Sequence, residues 1–236
     1  MADVLFPRLS TTEDAYKPTT GWSVLHLFCD AGASLDAAAV AAACKAAIED
    51  GYQVIPFTLL GHKARVGFLG LGESFVRLRE WQRDIERSGL VVVDSYVSIT
   101  EVSEYAAGMP AERKEPRLHP VLPPAGMYNV CFYGMSKRRE NGANWYRLPY
   151  EEREQLMYAH GKSGRAFAGR VVQLVTGSTG VDDYEWGVTL FAAHPDDLKS
   201  VVYTMRFDEA SAIYGDFGPF YTGMIGDVES VLEASF

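Results

Sequence analysis

Residues 131–170, CFYGMSKRRENGANWYRLPYEEREQLMYAHGKSGRAFAGR, read as a strand, a basic loop and a helix. In an extended chain alternate side chains share a face, so Tyr133, Met135 and Lys137 point one way and Phe132, Gly134 and Ser136 the other. A phenol, a thioether and an ammonium in a row is not what core packing alone would select, because lysine is rarely buried without a partner. After the loop, Pro149 suits the first turn of a helix, where its missing N–H costs little. Gly161 predicts the C-terminal cap of that helix, which puts His160 in its last turn with Leu156 and Met157 one turn back on the same side.

Working outward, the upstream chain alternates strand and helix. Residues 1–19 read as an irregular leader. A strand over 21–29 (GWSVLHLFC) carries Trp22, Val24, His26 and Phe28 on one face. Ser34 is placed to cap an alanine-rich helix over 35–50, closed by Gly51. Two strands over 52–60 and 63–71 follow. A helix over 73–88 repeats Phe75, Leu78, Trp81 and Ile85 at helical spacing, and a long strand covers 90–105. The order βαββαβ is the ferredoxin-like arrangement. Residues 106–126 hold five prolines and mixed charges and read as a linker.

The same order then recurs over 127–236. Strand 128–137 and helix 149–160 lead to strands 171–176 and 184–192, then to a helical stretch 195–214, a strand near 220–225 and a last helical turn. The fold class is therefore α+β: an N-terminal ferredoxin-like half over 20–105 and a C-terminal half over 127–236, fused into a dimeric α+β barrel.

The chain has 236 residues, a hydrophobic fraction of 47% and a net charge of −9. It is long enough to bury a core without staples, and its acidic balance argues against general nucleic-acid binding. The three cysteines show no metal spacing and sit in apolar contexts, which suits reduced thiols in the cytoplasm. No basic-then-apolar leader and no stretch long enough to span a membrane are expected. Against the overall charge, 137–170 carries eight basic residues and only four acidic ones. A cationic island beside a histidine and a tyrosine suits an anionic ligand near a redox or metal centre. The plainer reading is a solvated helix face whose terminal histidine is favoured by the helix dipole.

Other polar residues invite the same weighing. His26 reads first as a hydrogen-bonded structural residue. Gln173, between Val171 and Val175 on one strand face, would need partners if buried. Arg206 could simply pair with Glu209 one helical turn on.

The runs CFYGMSKRR, NWYRLPYEER, LMYAHGKSGR, VTGSTGVDDYEWGVTLF and VVYTMRFDEASAIYGDFGPFYTG resemble the coproheme decarboxylases, haem-synthesis enzymes of the chlorite dismutase superfamily. The resemblance is dense from 115 to 223 and thin before it. One departure is Gly134, where the family usually has proline after the tyrosine.

The resemblance implies that iron-coproporphyrin III (coproheme) is both substrate and redox centre, that hydrogen peroxide is the oxidant, and that haem b is the product. It implies His160 as the iron ligand and Tyr133 as the residue oxidised to a neutral radical that takes hydrogen from a propionate. Lys137 would hold the reacting carboxylate or assist proton transfer. Arg117, Met135, Trp145, Gln173, Arg206 and Ser211 would line the macrocycle or bind its propionates, with Gln173 where chlorite dismutases place an arginine. His119 lies near the same entrance and takes no role from the resemblance. A homopentamer and a transient contact with the coproporphyrin ferrochelatase are further implications. The alternatives are a chlorite dismutase, a haem carrier without turnover, and a haem-free ferredoxin-like monooxygenase.

Overall fold

The computed structural model describes residues 13–236; the first twelve positions of the expected leader fall outside them. Eight strands close into an antiparallel barrel: β1 (Ser23–Ala31), β2 (Gln53–Leu59), β3 (Val66–Gly72), β4 (Leu90–Thr100), β5 (Asn129–Lys137), β8 (Val171–Gly177), β9 (Trp186–Ala192) and β10 (Gly215–Ile225). The strand order is β1-β3-β2-β10-β5-β9-β8-β4. Residues 90–100 and 53–72 flank β1 in the order 4-1-3-2, and β10, β5, β9 and β8 repeat that order, so each run of four has ferredoxin-like topology. Two seams join the runs. One pairs Leu59, Thr58 and Phe57 of β2 with Gly223, Met224 and Ile225 of β10. The other, between β4 and β8, holds only Ile99↔Gly177 and Thr100↔Thr176. A small hairpin, β6 (Arg139–Glu140) with β7 (Ala143–Asn144), follows β5.

The strand period sorts the core into layers. Even-numbered residues of β1 and β5 (Val24, Phe28, Phe132) point into the barrel with Phe57, Leu69, Tyr96, Phe191 and Tyr221. Each fully buried aromatic of this kind contributes roughly 1.5–3 kcal/mol. Outside, α1 (Ala37–Glu49), α2 (Phe75–Arg87) and α7 (Val228–Ser235) cover the first sheet through Leu27, Phe68, Val40, Trp81 and Leu232. The second sheet lies under α5 (Pro195–Met205) through Cys131, Tyr133, Val188, Leu190, Leu198 and Val201, and α4 (Tyr150–Arg165) packs on α5. His26 is inside the barrel, its Nε2 2.9 Å from Thr189 Oγ1 and its ring 4.1 Å from that of Phe132, so it is a structural residue. The three cysteines are free and buried. Among the described residues no helix is long and apolar enough to cross a membrane.

Several local expectations are corrected. Helix α1 is capped by Asp36, whose carboxylate accepts the Ala39 N–H, and not by Ser34. The Asp36 N–H is held by Ser88 O at 2.8 Å, which pins the start of the helix there. The proline-rich stretch 106–126 contains a short helix, α3 (Ala111–Leu118).

Helix α4 does not stop at Gly161. It runs through to Arg165, and the left-handed turn falls at Gly169, with φ +80°. Lys162 and Arg165 in its last turn complement the helix dipole, and Gly164 lies against Met205 of α5. His160 is therefore inside the helix. The helical stretch 195–214 is instead broken: α5 ends at Met205 and α6 (Glu209–Ala212) begins after Asp208, whose side chain caps it by accepting the Ser211 N–H.

Candidate functional site

The break between α5 and α6 aims Asp208 at α4. Its carboxylate oxygens lie 3.0 and 3.2 Å from Nδ1 of His160. A carboxylate only accepts, so Nδ1 carries the proton and Nε2 keeps a free lone pair. Ser211 joins the pair, its Oγ donating to Asp208 at 3.3 Å and standing 3.4 Å from His160 Nδ1. Burial pushes the His160 pKa down, Asp208 opposes that shift, and the charge of Lys137 adds to it. The imidazole is thus neutral and oriented, which is what a metal ligand requires.

The face of β5 next to this cluster carries the expected row. Tyr133 is buried with its ring stacked 4.6 Å from that of Phe220 and tilted against that of Phe217 at 5.9 Å. Burial raises its pKa, with Cys131 adding to the effect, so the phenol stays protonated. Met135 is half-buried at the edge of the same apolar layer.

Lys137 is only 6% exposed. Its Nζ donates to Ala210 O at 2.6 Å and sits 4.4 Å over the ring of buried Trp145. Burial brings its pKa down to about 8 against the pull of Asp208 and Glu185. Trp145 is held edge-on by Tyr214 at 5.3 Å and Tyr105 at 6.4 Å.

The structure joins His160 to Ser211 and Asp208, bonds Lys137 to Ala210 of α6 and seats it over Trp145, and sets Tyr133 and Met135 on the same face of β5 as Lys137. The other expected residues are placed differently. Gln173 is exposed, which corrects the buried-amide reading. It pairs with Leu190 and, like Val175 opposite Val188, lies on the helix side of the sheet, where both side chains are exposed. Arg206 is exposed at the C-terminal end of α5, and among the described residues it forms no ion pair with Glu209. Arg117, on α3, is exposed with Nη1 3.1 Å from Met109 Sδ, and it makes no contact with the His160 cluster. His119 is engaged by Glu115 at 2.7 Å and by the edge of Trp22.

Two acidic residues that sequence reasoning passed over hold the cluster in place: Asp208 against His160, and Glu185, which accepts the Lys137 N–H at 2.8 Å. Asp208 was readable as a helix cap from D-x-x-S in MRFDEAS. Glu185 carried no comparable signal.

The donor set fits a flat anionic macrocycle. It offers one neutral imidazole with a free Nε2, an uncovered strip of sheet at Gln173 and Val175, and cations on the C-terminal half to meet carboxylates.

Comparison with known proteins is consistent across sequence and structure. The sequence profile of the family described as chlorite dismutase matches residues 34–226. A coproheme decarboxylase of Staphylococcus saprophyticus is 45% identical over 179 residues, covering 72% of this chain and 71% of its own. A haem-binding protein from Thermus thermophilus superimposes with a TM-score of 0.81 at 38% identity, over 92% of this chain and 95% of its own. Chlorite dismutase from Candidatus Nitrospira defluvii, in complex with imidazole, superimposes with a TM-score of 0.73 at 17% identity, over 92% of this chain and 95% of its own. At that identity the likeness shows the fold alone.

Proposed function

The chain belongs to the chlorite dismutase family, and we propose that it is a peroxide-dependent coproheme decarboxylase that converts iron-coproporphyrin III to haem b. The observation that carries this reading is a His160 held by Asp208 at the start of α6, a buried Lys137 bonded to Ala210 of the same α6, and an oxidisable Tyr133 on the same face of β5 as Lys137. The coproheme decarboxylase of S. saprophyticus, 45% identical, supports it.

Coproheme, when bound, supplies the iron and accepts two oxidising equivalents from each hydrogen peroxide. The chain's own residues do the rest. His160 holds the metal through Nε2 and is itself held by Asp208. Tyr133 loses its phenolic hydrogen and, as a neutral radical, takes a hydrogen atom from a propionate β-carbon. The second of the two oxidising equivalents would take the remaining electron from the substrate radical, the carbon–carboxylate bond would break, and carbon dioxide would depart to leave a vinyl group. The balance per propionate is one peroxide and one proton consumed, with one carbon dioxide and two waters released. Two rounds give haem b through a three-propionate intermediate.

Lys137 meets the reacting carboxylate as a compact charge, and Arg206, Ser211 and Arg117 bind the others. Met135, Trp145 and Gln173 would line the macrocycle. Residues 127–236 form the half that carries the site, 20–105 the other half and 106–126 the connection. The enzyme works in the cytoplasm as a homopentamer and receives coproheme by transient contact with the coproporphyrin ferrochelatase.

The test is to load the protein with ferric coproheme, add hydrogen peroxide and follow product masses. Appearance of three- and then two-propionate species supports the reading. Stable coproheme under peroxide, with oxygen released from chlorite, would assign a chlorite dismutase instead. Binding with neither reaction would leave a haem carrier.

A further inference from the structure

Glu185 is 4% exposed and stands one residue before β9. Its main-chain N–H donates to Met135 O at 3.1 Å, and its carbonyl accepts the Ser178 N–H at 2.9 Å. The ladder between β5 and β9 ends at Met135↔Trp186. Beyond that rung the Glu185 side chain takes over: Oε2 accepts the Lys137 N–H at 2.8 Å, while Oε1 is ion-paired with Arg139. With both oxygens engaged, the carboxylate cannot turn away from Lys137. A hydrogen bond to a charged acceptor is roughly twice as strong as a neutral one. The residue it fixes carries the buried ammonium that reaches Ala210 O and the face of Trp145.

We propose that Glu185, clamped by Arg139, is a positioning residue that fixes the main chain at Lys137 and so sets where the Lys137 ammonium stands against the substrate carboxylate. The inference rests on the reading of Lys137 as the group that acts at the reacting propionate. Displacing such a group by about 1 Å costs on the order of a hundredfold in rate while leaving binding nearly intact.

The test is a double-mutant cycle. Glu185→Gln keeps a neutral acceptor and the side-chain volume. Arg139→Gln changes an exposed side chain and leaves Glu185 in place, so it remains informative if the first variant folds poorly. Each is made alone and together with Lys137→Ala. For each, the dissociation constant for ferric coproheme is measured by Soret titration, and the ratio of four-, three- and two-propionate species is measured after peroxide. Each single variant is expected to bind within about threefold of the parent and to turn over roughly tenfold more slowly, the loss of one charge-assisted bond. Neither should slow the Lys137→Ala protein further. Wild-type turnover, parallel loss of binding and rate, or additive effects in the Lys137→Ala background would each overturn the proposal. If Lys137→Ala itself makes haem b at the full rate, the reading of Lys137 falls and takes this inference with it. If only the Glu185 and Arg139 variants are silent, Glu185 alone is misassigned.

Discussion

Asp208 holds Nδ1 of His160 at 3.0 Å with the same carboxylate that caps α6. Asp208→Asn separates these two tasks. Asparagine is as good a helix cap as aspartate, so α6 should survive. The neutral amide orients the imidazole less firmly and can donate to Nδ1, which would place the proton on Nε2 and block ligation. Removing such an outer partner weakens metal binding or activity about ten- to a hundredfold. Ferric coproheme titration should show weaker binding and an altered Soret band; an unchanged affinity and spectrum would mean that Asp208 does not orient the ligand.

Lys137 sets a pH limit. Its folded pKa of about 8 lies below the 10.5 of a free lysine. Between these values the unfolded chain binds more protons, so stability rises with pH across that window. Below it both states are charged and the burial penalty is fully present. Activity runs the other way, because the charge that meets a carboxylate is lost as pH rises through about 8, or somewhat higher once an anionic substrate is bound. The rate of coproheme conversion should fall on that limb, and Lys137→Arg, if it turns over, should remove the limb. A flat profile to pH 10 would contradict a charged role for Lys137.

His26 predicts acid sensitivity. Burial lowers its pKa from 6.5 to about 3 inside the barrel. The unfolded chain takes up the proton first, so stability is lost as pH falls below 6.5, by about 1.4 kcal/mol for each pH unit at most. Urea midpoints of His26→Phe should be less steep in pH than those of the parent over this range. Parallel slopes would mean that other groups control acid unfolding.

Gly134 is explained by Tyr184. A Cβ at Gly134 would lie 2.4 Å from Cδ2 of the Tyr184 ring, and one at Gly218 would lie 2.5 Å from Cζ of the same ring. Gly134→Ala should therefore destabilise the fold by roughly 1–3 kcal/mol, the usual cost of overpacking. Combining it with Tyr184→Leu should recover part of that loss. Chemical denaturation of the four proteins checks this, and equal penalties with and without the ring would rule out the clash.

The strand and helix periods made most of the fold legible. The alternation in 131–137 gave the face that β5 presents, and the repeated strand–helix order gave the two ferredoxin-like runs. What failed was local. Gly161 looked like a helix cap, but packing of α4 on α5 and α6 carries the helix past it. The stretch 195–214 looked continuous because no proline interrupts it after Pro195, and the break that aims Asp208 at His160 depends on a capping interaction. Tyr133, Lys137 and His160 were legible as a row and a helix face. The carboxylates that hold Lys137 and His160 come from 48 residues further along in each case. Strand alternation and helix spacing cannot show such pairings. The valines around Gln173 do not reveal that its side of β8 is exposed, because that depends on where the helices lie.

The most direct test of the account is the fate of coproheme in Tyr133→Phe. The variant removes one oxygen from a side chain packed between Phe217 and Phe220, so folding and coproheme binding should be preserved, as read by the Soret titration. Parent and variant are loaded with ferric coproheme, given the same hydrogen peroxide, and their porphyrins are weighed by mass spectrometry over time. The parent should pass through the three-propionate species to haem b, while Tyr133→Phe should keep all four propionates. Haem b formed by Tyr133→Phe at the parental rate would contradict the radical role of Tyr133 and the mechanism built on it.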